Sequence, residues 1–352
     1  MYIPIMKTRN EELKVAEELN YCYSNEIIPL FEILNDMYES KYEVDENGKY
    51  LMQLKPGKTK REKIKKTKTP DDIITLEEIN RIVNKSQVFI DYFRFDVKKY
   101  GRNLEINSLE LAYKLNNNNE EYIRKLKDIS LYDNMIPVFS LKKPFSFTKE
   151  KIVQVIQELI TFNPSIAIRI EDELYDLYKN IIENNLRATD YLLYDINEQN
   201  FNSKIMELEE LKICKTKAEK IILNSPRSLK RENKEYENVC ITDLIDNVAA
   251  TEYKTYNFYG FGDYGGLKDQ LPTSDRPPNG EGAALALLYN YTDNSFYSFC
   301  NSDTSLGLKG YHYVIEEILD YRKNLDTNNN CVAYSKIQSL YDRGKGGNWY
   351  ME

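Results

Sequence analysis

Short apolar runs recur along the chain at fairly regular intervals, and stretches with the 3.6-residue period of an amphipathic helix lie between most of them. Eight runs stand out: Tyr2–Met6, Ile27–Leu34, Val88–Phe95, Met135–Leu141, Ile166–Ile170, Tyr191–Ile196, Lys220–Asn224 and Tyr256–Phe261. They are rich in β-branched or aromatic residues and mostly apolar without strict alternation, which predicts parallel strands covered on both faces. Between them, Lys149–Thr161 sets Ile152, Val155, Ile156, Leu159 and Ile160 on one helical stripe, and Asp71–Asn84 does the same with Ile73, Leu76, Ile79, Ile82 and Val83 after a Pro70-Asp71-Asp72 start. Glu11–Asn20, Ser108–Leu115 and Glu171–Asn184 are further helix candidates.

Strand and helix in alternation predict a right-handed β/α succession, and eight such units fit an α/β fold of the closed (β/α)8 TIM-like type. An open doubly wound sheet would alternate too, but it normally carries a glycine-rich first turn, and the first turn here reads Lys7-Thr8-Arg9-Asn10. The Ile-Pro-apolar element at Pro4, Pro29 and Pro137 suggests equivalent slots at one rim. The barrel is expected over residues 1–266, with a basic insertion at about 35–70. Beyond it, a loop containing Pro272, Pro277 and Pro278, a hairpin of Ala283–Asn290 with Ser295–Cys300, and helices at Tyr311–Arg322 and Val332–Leu340 predict an extension over 267–352 packed on the barrel. Trp349, close to the end, is a candidate for docking that terminus or for a partner surface.

Composition narrows the chemistry. The 352 residues carry a mean hydropathy of −0.61 and no apolar run of membrane-spanning length, so no membrane is expected as a partner. The N-terminal residues lack the order of a secretory signal, and five scattered cysteines form no paired framework, so the expected location is cytoplasmic. A single histidine, His312, rules out metal sites built on several imidazoles and phosphodiester chemistry that uses two histidines. Net charge −8 argues against general coating of nucleic acid but leaves room for a local basic patch. Lys55–Lys68 is such a patch, with eight basic side chains against Glu62 alone, and as an insertion on the C-terminal face it could act as a cationic flap for a phosphorylated ligand, a nucleic acid or an acidic protein.

If the barrel forms, function is expected where its strands end. Glu32, Arg169, Glu171 and Asp195 lie inside or at the end of otherwise apolar runs, where a carboxylate needs a cation beside it. Glu171 and Asp195, from adjacent strands, are candidate ligands for Mg²⁺; Glu32, Asp195 and Asp263 are candidate acids or bases; Lys7, Arg169, Tyr264 and Lys142 are candidate substrate contacts. A structural ion-pair network that plugs the barrel is the competing reading of the same residues.

The opening YIPIMKTRNEELKVAEEL, then IIPLFEI, the internal YLLYDIN and IILNSPRSL, and the later GFGDYGG and LLYNYTDNSFYSF together resemble the Beta protein family of satellite phages and bacterial defence islands. In that family the Beta protein looks like the companion of a toxic gene product, Gop, whose killing it restrains within an anti-phage operon. The resemblance implies a defence-associated protein that binds and restrains a toxic effector or senses infection, and it supplies no reaction. Positions similar to the family pattern are Pro4, Lys7, Pro29, Glu32, Asp195, Ser225-Pro226, Gly262-Asp263-Tyr264 and Tyr291-Thr292, while Lys55–Lys68 departs from it. The alternative is a carboxylate- and Mg²⁺-dependent barrel hydrolase or phosphodiesterase acting on a phosphorylated small molecule or nucleic acid.

Overall fold

A computed structural model describes the chain except for residues 58, 102, 146, 275–281, 325–330 and 346–352; Lys58 of the basic run, the prolines at 277 and 278, and Trp349 therefore lie outside the described residues. Among the described residues thirteen strands follow in order: β1 Tyr2–Lys7, β2 Leu30–Ile33, β3 Met52–Gln53, β4 Glu62–Lys63, β5 Val88–Tyr92, β6 Met135–Leu141, β7 Ala167–Glu171, β8 Tyr191–Asp195, β9 Glu219–Leu223, β10 Cys240–Thr242, β11 Gly260–Asp263, β12 Ala284–Asn290 and β13 Ser295–Asn301. Eight of them close into a parallel barrel in the order β1-β11-β9-β8-β7-β6-β5-β2. Seven of them coincide with runs that the apolar pattern marks and the eighth overlaps the end of the last run, so the (β/α)8 expectation holds.

Both faces of each strand are used, which is why the runs lack alternation. Outward rows, including Phe31, Ile90, Phe139, Ile168, Leu192 and Ile222, join the buried stripes of the surrounding helices, among them Ile152, Val155, Ile156 and Leu159 of Lys149–Phe162. Inward rows, including Ile3, Ile5, Leu30, Phe89, Val138, Leu193 and Ile221, fill the lower lumen with aliphatic and aromatic side chains. A barrel of this size is packed through its centre. Only its upper layer is polar.

Three local expectations need correction. The last strand lies at Gly260–Asp263 instead of Tyr256–Phe261, because Tyr253–Tyr256 coils into a 3₁₀ turn that ends at Asn257 in a left-handed conformation, φ 55°. Pro4 and Pro29 neighbour each other across β1 and β2, but Pro137 pairs with Ile90, two positions further up, so the prolines mark no common rim. The basic insertion is no flap over the mouth. It folds as a small antiparallel pair, β3 with β4, tied down by Lys41 Nζ to Asp72 Oδ1 at 2.5 Å and by Asp72 capping Thr69, and none of it lines the mouth cavity.

The eighth β/α unit is unusual. No described helix follows β11 onto the barrel flank; the chain instead builds β12 and β13, which pair with β10 from the β9–β11 connection to give a second, three-stranded sheet. Helix Gly310–Asp320 packs on that sheet through Val314 and Ile318, against Ala284 and Phe299. No helix among the described residues is long and apolar enough to cross a membrane.

Gly262 holds the closing seam. A Cβ there would stand 2.7 Å from Leu223 Cδ2 and 2.8 Å from the Ile3 carbonyl oxygen, both in neighbouring barrel strands. Gly262→Ala should cost about 1–3 kcal/mol of unfolding free energy through this overpacking; urea titration by circular dichroism reads it, and an unchanged midpoint would show that the seam can yield.

Candidate functional site

The polar layer of the lumen is one connected set of charges centred on Arg169, which points inward from β7. Its Nε donates to Asp195 Oδ2 at 2.8 Å, and its Nη1 donates to Glu32 Oε1 at 2.6 Å and to Asp91 Oδ2 at 3.0 Å. Strands on different sides of the barrel are thus joined by one guanidinium. Tyr264, just after β11, donates its hydroxyl to Glu32 Oε1 at 2.8 Å. Lys7, from β1, reaches Glu32 Oε2 at 2.7 Å and Asp269 Oδ1 at 2.6 Å, with its ammonium 4.2 Å from the centre of the Tyr264 ring. Asp269 also accepts from Lys99 Nζ at 2.9 Å and from the Tyr100 hydroxyl at 2.8 Å.

Electrostatics follow from that packing. Burial alone would raise the Glu32 carboxyl, but Lys7 and then Arg169 outweigh it and hold the group at about 2. Asp269, equally buried, is driven well below the usual carboxylate range by Lys7 and Lys99. These acids are ionised and already paired, which makes them poor proton carriers at neutral pH.

Above this floor lies a cavity of about 350 Å³, lined by side chains that include Phe93, Arg94, Lys99, Lys142, Arg169, Glu171 and Asn197. Here the pairing is incomplete. Lys142, directly after β6, is 7 % exposed; its nearest carboxylate oxygen is Asp91 Oδ2 at 3.7 Å, and its ammonium lies 4.5 Å from the centre of the Phe93 ring. Burial, and then the neighbouring Arg169, lower its pKa from the usual lysine value. Arg94, 2 % exposed, donates from Nη2 to Asn119 Oδ1 at 2.7 Å while Nε and Nη1 have no partner among the described residues; its guanidinium lies over the rings of Phe145 and Tyr122. Burial lowers it to about 10. Glu171, at the top of β7, accepts from the Lys143 backbone N–H at 2.8 Å, and burial raises its pKa.

The structure therefore divides the residues singled out from sequence. Lys7, Glu32, Arg169, Asp195 and Tyr264 converge in the floor, with Lys142 and Glu171 above them. Glu171 and Asp195 are register neighbours, but Arg169 occupies the Asp195 oxygen that a cation would take, and no group of three or more His, Cys, Asp or Glu side chains suited to a metal occurs among the described residues. Asp263 is not in this site at all. It faces the outer flank, where Oδ1 accepts from the Tyr2 hydroxyl at 2.9 Å and from the Gly265 N–H at 2.7 Å. Asp91, Arg94, Lys99 and Asp269 complete the arrangement; the first two lie in the apolar run of β5 and its exit, whereas Asp269 stands in a turn-rich loop with no pattern to mark it.

No family model matches the chain, and no curated protein matches it.

Two outcomes test the floor. Arg169→Met leaves three carboxylates without their shared cation and should destabilise the chain by about 3–5 kcal/mol, read by urea titration; a loss below about 1 kcal/mol would show the network to be incidental. For Glu32 the folded pKa of about 2 lies below the unfolded value near 4.5, so its contribution is present above pH 4.5 and lost as pH falls towards 2. The stability gap between wild type and Glu32→Gln should narrow over that window, and a gap constant from pH 7 to 3 contradicts the assignment.

Proposed function

We propose that the barrel mouth binds a small organic anion, a phosphorylated or carboxylated molecule, with Lys142 as its principal charged contact. The observation that carries this reading is the contrast in pairing: the floor carboxylates each have a close cation, whereas Lys142 is buried at the cavity with its nearest carboxylate oxygen 3.7 Å away. Burying a cation without a full partner is costly, and an anion entering the cavity would supply that partner at a position strand ends commonly use for ligands. The buried Arg94 stands on the same side, and Lys99, paired with Asp269, also donates to Asn197 Oδ1 at 2.8 Å; Asp96, Asp172 and Glu173 line the same cavity. If chemistry occurs there, Glu171 is the group suited to carry a proton, because burial raises its pKa whereas Lys7 and its neighbours lower those of Glu32 and Asp269. The Mg²⁺-dependent version loses its support in the donor set, since Asp195 is committed to Arg169.

Thermal melts with inorganic phosphate, pyrophosphate and a panel of phosphorylated and carboxylated metabolites test the proposal. A dose-dependent rise is expected for at least one anion, and Lys142→Met should weaken that binding by about tenfold or more. Without ligand the variant should be no less stable than wild type, because it removes a poorly partnered buried charge. Absence of any anion-dependent rise, or a rise that survives in Lys142→Met, rejects the reading.

A second reading, restraint of a toxic effector, takes its class of partner from the Beta-family resemblance and its docking surface from the insertion, whose departure from the family pattern argues for an effector other than the family's usual one. Its hairpin exposes Tyr50, Leu51, Met52 and Leu54 beside Lys55 and Lys63, a mixture of apolar and cationic side chains suited to an acidic protein partner. Lys63 Nζ sits 3.6 Å from the centre of the Tyr50 ring, so ring and charge form one surface. Co-expression with Gop tests this: suppression of toxicity that is lost in the double variant Met52→Ser/Leu54→Ser puts the docking surface on the insertion, full suppression by that variant puts it elsewhere, and no suppression by the wild type excludes Gop as the effector.

A further inference from the structure

The barrel flank between β1 and β11 lacks a covering helix among the described residues, and the second sheet that stands there does not fill it. A cavity of about 620 Å³ remains at the seam, walled by Tyr2 and Phe261 from the barrel and by Leu267, Leu285, Leu287 and Phe296 from the loop and sheet. Its size suits a small molecule and its walls are mainly apolar. One carboxylate opens into it, that of Asp263.

The partners of Asp263 decide the chemistry. Oδ1 accepts from the Tyr2 hydroxyl and the Gly265 N–H, and among the described residues Oδ2 has no hydrogen-bond partner and no Lys, Arg or His forms an ion pair with the carboxylate. Arg227 lines the same cavity without forming an ion pair with Asp263: Nη1 donates to the Gly266 carbonyl at 3.1 Å and Nη2 to Asn233 Oδ1 at 2.9 Å, the Tyr236 ring centre is 5.2 Å away, and Nε has no partner among the described residues. A half-buried acid without an ion-pair partner, opening into a largely apolar cavity, is complementary to a cation carried on an apolar body. The fully buried carboxylates of the lumen, Glu32 and Asp269, are closely paired with cations, whereas Asp263 is not.

We infer that this flank cavity is a binding site for a small apolar amine, with the ammonium group on Asp263 Oδ2 and the aliphatic or aromatic body against Phe261, Leu285 and Leu287. The site is separate from the mouth. Tyr264 turns into the lumen and Asp263 turns out, so the barrel wall stands between the two.

Isothermal titration with 2-phenylethylamine, 2-phenylethanol and 3-phenylpropanoate tests this on the wild type, Asp263→Asn and Leu287→Trp, each first shown to be folded by circular dichroism. The amine should bind at least about tenfold more tightly than the isosteric alcohol, the ratio expected for one charge-assisted contact. That preference should vanish in Asp263→Asn, and Leu287→Trp, which narrows the cavity, should abolish amine binding. Equal affinity for amine and alcohol overturns the inference, as does tighter binding of the acid, which would make Arg227 the polar contact. Amine affinity unchanged in Leu287→Trp also overturns it, by placing the amine on the acidic surface of a chain with net charge −8. Should Asp263→Asn fail to fold, the three-ligand comparison and Leu287→Trp decide the matter alone.

Discussion

A single guanidinium ties the barrel together across its lumen. Arg169 leaves β7 and meets carboxylates from β2, β5 and β8, and it can do so only if the sheet is closed, because β2 and β7 lie on different sides of the ring. The same closure puts Lys7 of β1 beside Glu32 of β2 and within reach of Asp269 beyond β11. Each of these ions would be costly on its own in a lumen otherwise filled with aliphatic and aromatic side chains. Together they compensate one another, so the network is stable only as a whole and only in the closed state.

That interdependence sets the character of the mouth. Because Glu32 and Asp269 are held ionised by their cations, they shape the potential without exchanging protons, and the groups free to respond to a ligand are those one layer higher, Lys142, Arg94 and Glu171. A chain shaped for stability alone would put Met or Leu where Lys142 lies against Phe93. Retaining a buried, weakly partnered lysine at the end of a barrel strand costs stability, and an anionic ligand is the simplest compensation the geometry offers.

Much of this was legible in the sequence. The eight barrel strands were, because strands buried on both faces leave continuous apolar runs, and Glu32, Arg169 and Asp195 were, because charges inside such runs need each other. Legibility failed where the signal is tertiary. Asp269 carries no pattern in its loop; Asp195 looks like a metal ligand until Arg169 is seen to hold it; and Asp263 and Tyr264, adjacent in a conspicuous motif, read as one site although a strand sends neighbours to opposite faces. The lack of a helix directly after β11 among the described residues was hidden too, since the hairpin that follows is recognisable as a hairpin but its place on the barrel flank is not.

The glycines of Gly260-Phe261-Gly262-Asp263-Tyr264 gain their meaning from that alternation. Gly260 and Gly262 share the inward row with Tyr264, and a Cβ on either would run into the neighbouring backbone, 2.5 Å from the Met1 carbonyl oxygen at Gly260 and 2.8 Å from that of Ile3 at Gly262. Only glycine fits there, so the close approach of β11 to β1 fixes which residues face in. A slip of one residue would turn Asp263 towards Glu32 and Tyr264 towards the flank, placing one more carboxylate in a lumen already crowded with acids and removing the hydroxyl that bonds Glu32. The two glycines therefore hold the register that keeps the charged mouth and the flank carboxylate on opposite sides of one strand.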